Sequence, residues 1–289
     1  MSIYFSLLSN ASLVIFHIRD LNANDLPAVR SPHQFFAFFL QESPSFSGSG
    51  LSSVPTDYFN VSLSYRLDSD VQVPYGRLKR IRKSSTREHV WSWEEVLNRT
   101  AHKKEAVTVF VSHCETPSKR ETYYGELSKY ITVNQYGDCS GRRIDQQSAE
   151  KAIADHYFYL AFENSVCQDY VTEKVFSRIN QLIVPIVLKR SIINKFLPDN
   201  SFIAADDFHS PKELAEYLQY LMANRTEYER FFEWTKTYEK DCHVDSTCDI
   251  CKFLHETVNK HRIVSDIRKW WYGGENDSIC ENGYAERLM

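Results

Sequence analysis

The amino-acid sequence predicts an α/β fold built on parallel sheets, and three observations predict it. Through the second half of the chain, apolar strand-like runs alternate with helix-like stretches. Those runs are continuously apolar, the pattern of strands buried on both faces. The 289 residues, 43% of them hydrophobic, supply core for one large domain or two ordinary ones. Composition also excludes classes of function. With 34 Lys+Arg against 38 Asp+Glu and a net charge of −4, the chain lacks the basic excess of a nucleic-acid binder. An aromatic content of 14% excludes disorder. Only 9 residues are Gly, and neither G-x-G-x-x-G nor G-x-x-x-x-G-K-[ST] occurs. Any nucleotide is therefore held without those loops.

In order along the chain, residues 13–18 (LVIFHI) read as a buried strand, 20–32 as loop, and 35–40 (FFAFFL) as a second buried strand. Ser, Gly and Pro crowd residues 42–55, which marks a surface loop directly after that strand. The basic stretch 79–87 reads as a solvated loop, and the polar residues 101–105 as a domain boundary. Strands follow at 107–112, 131–136, 157–162 and 183–188, with helices at 119–129, 172–182, 212–221 and 227–238. In a parallel sheet, ligands bind beyond the carboxyl ends of the strands. This singles out the turns after Ser112 and Phe162.

The compartment is read from two features. Residues 3–16 are too short and too polar to span a bilayer, broken as they are by Ser6, Ser9, Asn10 and Ser12. No basic residue precedes Arg19, so the flank of a signal peptide is missing, and a buried strand is the simpler reading. N-x-[ST] sequons stand at Asn10, Asn60, Asn98, Asn224 and Asn276. The 7 cysteines, an odd number, leave at least one outside intrachain disulfides. Sequons and cysteines together favour a lumenal or secretory location.

Residues 157–188 (YFYLAFENSVCQDYVTEKVFSRINQLIVPIVL) carry the most chemistry. A strand enters the polar turn Glu163-Asn164-Ser165, and a helix begins near Thr172. Val175, Phe176, Ile179, Leu182 and Ile183 fall at helical spacing and form its buried face. Glu173 suits a first helical turn, whereas Lys174 opposes the helix dipole there. Two readings stay open for Lys174: a solvated residue balanced by Glu173, or a cation set to meet a phosphate.

The same stretch closely resembles the donor-binding signature of the α1,3-fucosyltransferase family, inverting enzymes that use GDP-fucose. LVIFHIRDLNANDLP, QESPSF, YFNVSLSYRLDSDVQVPYG, VFVSHCETPSKRETYYGEL, YGDC and FIAADDFHSPKELAEYL match that family in order, from about residue 12 to 255. The resemblance implies a glycosyltransferase B-type architecture, two Rossmann-like domains facing a cleft. The acceptor-side domain would be 1–103, the GDP-fucose domain 104–260 and a C-terminal extension 261–289. The implied reaction moves fucose to the 3-hydroxyl of N-acetylglucosamine or glucose in a glycoprotein or glycolipid glycan.

The resemblance assigns roles residue by residue. Glu42, in Gln41-Glu42-Ser43-Pro44, matches the catalytic base, at the end of an apolar strand where partial burial would raise its pKa. Arg120 matches the cation that clamps the pyrophosphate, with a forked guanidinium suited to phosphate oxygens; Lys119 is an open alternative. Lys174 matches the second pyrophosphate cation. Tyr159, Asn164, Tyr170 and Glu173 match positions contacting GDP or fucose, with a core role competing at Tyr159. No cofactor is implied beyond the donor, since Arg and Lys neutralise the leaving group, and a divalent cation is at most stimulatory. Asp68-Ser69-Asp70 looks like a metal-binding D-x-D but reads as structural, so no metal residue is assigned. Cys242, Cys248 and Cys251, with His243 and His255, have the composition of a zinc site; the family instead places disulfides around its C-terminal C-x-x-C. Family members are Golgi type II membrane proteins. This sequence shows no tail, anchor or stem before the first strand, so the expectation is a fragment or shortened form, membrane-associated only through that missing anchor. A non-catalytic GDP-sugar or glycan-binding remnant is the alternative reading.

Overall fold

The computed structural model describes residues 5–240, 244–257, 264, 266–274 and 277–289. Its residues fall into two units, Met1–Pro74 with Val244–Cys280, and Tyr75–His243 with Glu281–Met289.

In the first unit, the two apolar runs form β1 (Leu13–His17) and β2 (Phe35–Leu40). With β3 (Val61–Ser64) and β4 (Val71–Gln72) they build a parallel sheet ordered β1-β2-β3-β4. Side chains alternate across a strand, so Phe35 and Ala37 share one face with Val61, Leu63 and Val71, while Phe36 and Phe38 occupy the other. The turns between β1 and β2 are short 3-10 segments, Ile18–Asp20 and Ala23–Asp25, where a Rossmann-like unit would place a helix.

The larger unit opens with α1 (Trp93–Ala101), started by a reciprocal capping box between Ser92 and Glu95. There follow β5 (Glu105–Phe110), α2 (Arg120–Leu127), β6 (Val133–Tyr136), α3 (Gln146–Asp155), β7 (His156–Leu160) and α4 (Glu173–Ile179). The unit continues with β8 (Val184–Val187), α5 (Arg190–Ile193), β9 (Ile203–Ala204), α6 (Pro211–Ala223) and α7 (Arg225–Glu229). All five strands are parallel, in the order β6-β5-β7-β8-β9. The expected helix at 227–238 is instead α7 followed by a 3-10 segment, Arg230–Lys236. Buried Phe232 and Thr235 lie three apart, the period of the tighter turn.

Lys103 is buried at the amino-terminal edge of this sheet. Its ammonium donates to the carbonyls of Ile153, Ala154 and His156 at 3.4, 3.5 and 2.8 Å, closing the C-terminal end of α3. Burial, reinforced by Arg99 and partly offset by Asp155, lowers its pKa from 10.5 to about 7. Between those two values the unfolded chain holds the proton that the native chain has released. Lys103 therefore favours the fold most above pH 10.5, and that contribution is lost as pH falls through 7. Relative to Lys103→Met, the native protein should lose about 2–3 kcal/mol of stability between pH 9 and pH 7. Denaturation at both pH values measures it, and equal pH dependence of the two proteins would contradict it.

Beyond residue 243 the chain returns to the first unit as α8 (Thr247–Thr257) and α9 (Ile267–Tyr272). Ile250, Phe253 and Leu254 of α8 cover the Phe35 face of its sheet. Trp271 of α9 packs on the opposite face, 4.9 Å from Phe38 and 5.7 Å from Tyr65 between ring centres. These contacts correct the expected division at 103/104 and 260/261. Trp91 and Val96 belong to the core of the larger unit, which also takes Tyr284 and Ala285 from the C-terminal residues. The units consequently part at 74/75, and α8 and α9 are integral to the first.

Candidate active site

Strand order in the larger unit reverses between β5 and β7. At such a reversal the connections leave toward opposite faces and open a crevice at the carboxyl ends of the strands. Arg120 lies across this point. Lys119, in the left-handed region at φ 58, turns the chain into α2, and its own side chain is 43% exposed. Arg120 is instead 4% exposed. Its Nη1 donates to the carbonyl of Phe162, after β7, at 2.7 Å, and its Nη2 to that of His113, after β5, at 3.3 Å. Arg120, not Lys119, is therefore the inward-facing cation. No carboxylate among the described residues pairs with it, and its Nε is buried without a hydrogen-bond partner. A buried polar atom left unpaired costs about 1–3 kcal/mol, and Asn164 Oδ1 shows the same condition. The first is a donor, suited to an anion, and the second an acceptor, suited to a ligand's N–H or O–H.

Lys174 stands at the second position of α4. Its ammonium lies 3.0 Å from Glu163 Oε2, 3.1 Å from Thr172 Oγ1 and 3.5 Å from Glu173 Oε1. Burial pulls its pKa down, but Glu163 and Glu173 outweigh burial and the neighbouring Arg120, so the net shift is upward and the ammonium stays charged. The reading of Lys174 as a solvated residue balanced by Glu173 does not hold: it is only 22% exposed and is balanced chiefly by the buried Glu163. Glu173 is 60% exposed, on the solvent side of that ammonium.

The loops around these residues are held from several sides. Ser118 donates its hydroxyl to the Glu163 carbonyl and its N–H to the Asn164 carbonyl, at 2.7 and 3.0 Å. The C-terminal residues add Gly283 N–H to Pro117 O and Ala285 N–H to Ser118 O, at 2.7 and 3.0 Å. A disulfide joins Cys114, after β5, to Cys139, after β6. Between these strands the left-handed Gly137 sits so close to Val111 that a Cβ would fall 2.4 Å from its carbonyl oxygen. Tyr170 is buried, meets Tyr75 edge-on at 6.5 Å, and lines a small cavity with Glu163, Ser165 and Lys189 at the ends of β7 and β8. Tyr159 is the exception among the expected donor residues. It is buried within β7, its ring stacked on Phe110 and covered by the Arg178 guanidinium at 5.0 Å, which is the core role.

Glu42 belongs to the first unit, two residues beyond β2 at the carboxyl edge of its sheet. Its side chain is 35% exposed, with Arg19 Nη1 3.5 Å away. The turn that follows is anchored from α9, where Trp271 Nε1 donates to the buried Ser47 Oγ at 2.7 Å. Asp68 and Asp70 are both engaged by protein donors. Asp68 receives Arg66 through two bonds, at 2.8 and 2.6 Å, and Trp270 Nε1 at 3.1 Å; Asp70 receives the N–H and hydroxyl of Ser62 at 2.8 and 3.0 Å.

Among the sequons, Asn60 must be withdrawn. It is buried, and its Oδ1 accepts from Phe36 N and Arg30 Nη1 at 2.9 and 3.0 Å, stitching β2 to β3. Asn10 and Asn98 are exposed, Asn224 is partly so, and Asn276 lies outside the described residues. The C-x-x-C expectation is also corrected: Cys248 and Cys251 are free and exposed on α8. Cys167 and Cys280 are disulfide-bonded. Cys242 and His243 lie outside the described residues, and among those described no group of three His, Cys, Asp or Glu could hold a metal ion.

Comparison with known proteins decides the family. Residues 100–270 match the family described as Glycosyltransferase family 10 (fucosyltransferase) C-term, and residues 2–76 match Fucosyltransferase, N-terminal. The chain belongs to glycosyltransferase family 10. This family 10 chain is 39% identical over 257 residues to alpha-(1,3)-fucosyltransferase fut-1 of Caenorhabditis elegans, covering 84% of the chain and 58% of that relative. It is 34% identical to alpha-(1,3)-fucosyltransferase C of Drosophila melanogaster, covering 90% and 65%. The chain thus spans less than two thirds of either relative. The fold resembles a crystal structure described as alpha1,3-fucosyltransferase with GDP-fucose, with a TM-score of 0.57 at 16% identity, covering 85% of this chain and 82% of the other. Both parallel α/β sheets agree with the fold class that the sequence predicts. No helix among the described residues is long and apolar enough to cross a membrane.

Sequence reasoning missed Glu163 and Thr172 as parts of the site. A signal existed, since a carboxylate directly ends an apolar strand and a Thr-Glu-Lys helix start follows nine residues later. Only the tertiary contact shows that the two meet.

Proposed function

We propose that this family 10 chain transfers fucose from GDP-fucose, with inversion, to the 3-hydroxyl of N-acetylglucosamine or glucose in glycoprotein or glycolipid glycans. The observation that carries the reading is Arg120, a buried cation without a carboxylate partner among the described residues, bridging the loops after β5 and β7. Arg120 and Lys174 take the pyrophosphate, and Asn164, Tyr170 and Glu173 contact the rest of the donor. Tyr159 is left to the core.

In the proposed step, the acceptor oxygen forms a bond to the fucose anomeric carbon and its proton passes to the Glu42 carboxylate. The bond from that carbon to the β-phosphate oxygen breaks on the opposite face, and GDP departs with the electron pair. Charge growing on GDP is stabilised by Arg120 and Lys174, fixed before the reaction begins. The donor is the sole small molecule that this step calls for, and a divalent cation has at most a stimulatory role. The Cys114–Cys139 disulfide supports a lumenal site of action on the Golgi membrane, because disulfides form in oxidising compartments.

Purified protein is incubated with GDP-fucose and a panel of lactosamine and chitobiose-core acceptors, and products are read by mass spectrometry with linkage analysis. A 3-linked fucoside is expected. GDP binding without product from any acceptor would favour the non-catalytic remnant instead.

A further inference from the structure

We propose that Glu163 is a positioning residue for the donor site, holding the Lys174 ammonium and the start of α4 in the one arrangement that meets a pyrophosphate. The inference rests on the reading that this unit binds GDP. Glu163 stands three residues past β7, directly after the Phe162 carbonyl that receives Arg120. Its side chain is only 9% exposed. Oε1 accepts the N–H of Thr172 and its hydroxyl, each at 2.8 Å. Oε2 lies 3.0 Å from that hydroxyl and accepts Lys174 Nζ at 3.0 Å. Its backbone carbonyl accepts Ser118 Oγ, on the Arg120 loop. One residue is therefore tied to the surroundings of both cations, by its main chain on one side and its carboxylate on the other.

The chemistry requires a carboxylate here. A buried carboxylate is tolerated only where a cation and hydrogen-bond donors compensate it, and Glu163 receives both from Thr172 and Lys174. An amide of the same shape still accepts from Thr172 through its oxygen, but it turns an NH₂ toward the ammonium, donor against donor. Lysine has a long flexible stem, so without this contact its ammonium no longer has a fixed place. A pre-oriented cation gives up little freedom when an anion arrives, and that is where its affinity comes from.

Calorimetric titration with GDP of the native protein, Glu163→Gln, Lys174→Met and the double variant tests the proposal. Glu163→Gln should bind GDP about 10-fold more weakly and Lys174→Met about 10- to 100-fold more weakly. The double variant should match Lys174→Met within about twofold, because a residue that acts through Lys174 has nothing left to position. Glu163→Asp, which keeps the charge but falls short of the ammonium, should show a smaller loss that also vanishes in the Lys174→Met background. It serves as the second variant where Glu163→Gln does not fold. Native affinity in both Glu163 variants, or losses that multiply with that of Lys174→Met, would overturn the positioning role. A native protein that binds no GDP would overturn the donor-site reading itself, and this role with it.

Discussion

Arg120→Ala should abolish measurable fucose transfer, lowering kcat/KM by about 10³-fold, and should remove GDP binding at any practical concentration. The size of the effect follows from the placement of the guanidinium. It is buried at the strand-order reversal, uses two of its nitrogens on the carbonyls of Phe162 and His113, and pairs with no carboxylate among the described residues. An anion arriving there meets a charge held in a low-dielectric setting, where attraction is far stronger than in water. Arg120→Lys separates charge from geometry. It keeps the cation but loses the fork, so about 10- to 100-fold of the affinity should be lost. Thermal unfolding is measured alongside, because the alanine variant leaves the buried Phe162 carbonyl without its donor, at about 1–3 kcal/mol. A folded Arg120→Ala protein that binds GDP as the native chain does would refute the assignment.

For Glu42→Gln the expected outcome is the opposite split: GDP affinity unchanged and turnover reduced by about 10²- to 10⁴-fold. Glu42 lies in the first unit, whereas Arg120, Lys174 and Asn164 lie in the other. Glutamine keeps the shape and the approach to Arg19 but takes no proton. Calorimetry with GDP and a product assay at saturating donor distinguish the two effects. Full turnover in Glu42→Gln would remove it as the base, and a parallel loss of GDP binding would make it a structural residue instead.

Much of the larger unit was legible in the residue pattern because its strands are fed by local signals. Its strands β5, β7 and β8 fall on the apolar runs read at 107–112, 157–162 and 183–188, and the turn after Phe162 was marked by polarity following a buried run. In the first unit, residues 35–40 form a strand with the bounds read from FFAFFL. The elements that escaped are those whose signal is not local. α3 has few apolar residues, with Ala152 and Ile153 alone buried, too few to show a helical stripe. α9 is short, and the apolar residues of both α8 and α9 answer to a sheet formed by residues more than 170 positions earlier. Asn60 shows the same limit from the other direction, since its sequon is perfect in sequence and its side chain is spent on Phe36 and Arg30.

By itself the sequence determined a parallel α/β fold and the ordered motifs of the α1,3-fucosyltransferase family, and it pointed to the turns after the strands near 110 and 160 as the candidate site. Apolar runs and an ordered set of motifs are local properties, and they survive in one dimension. Tertiary structure alone decided which of Lys119 and Arg120 faces inward, that Tyr159 belongs to the core, and that Glu163 holds Lys174. Each depends on burial and on partners brought together by the order of strands. A charge gains its meaning from what surrounds it, and those surroundings exist only once the chain has folded.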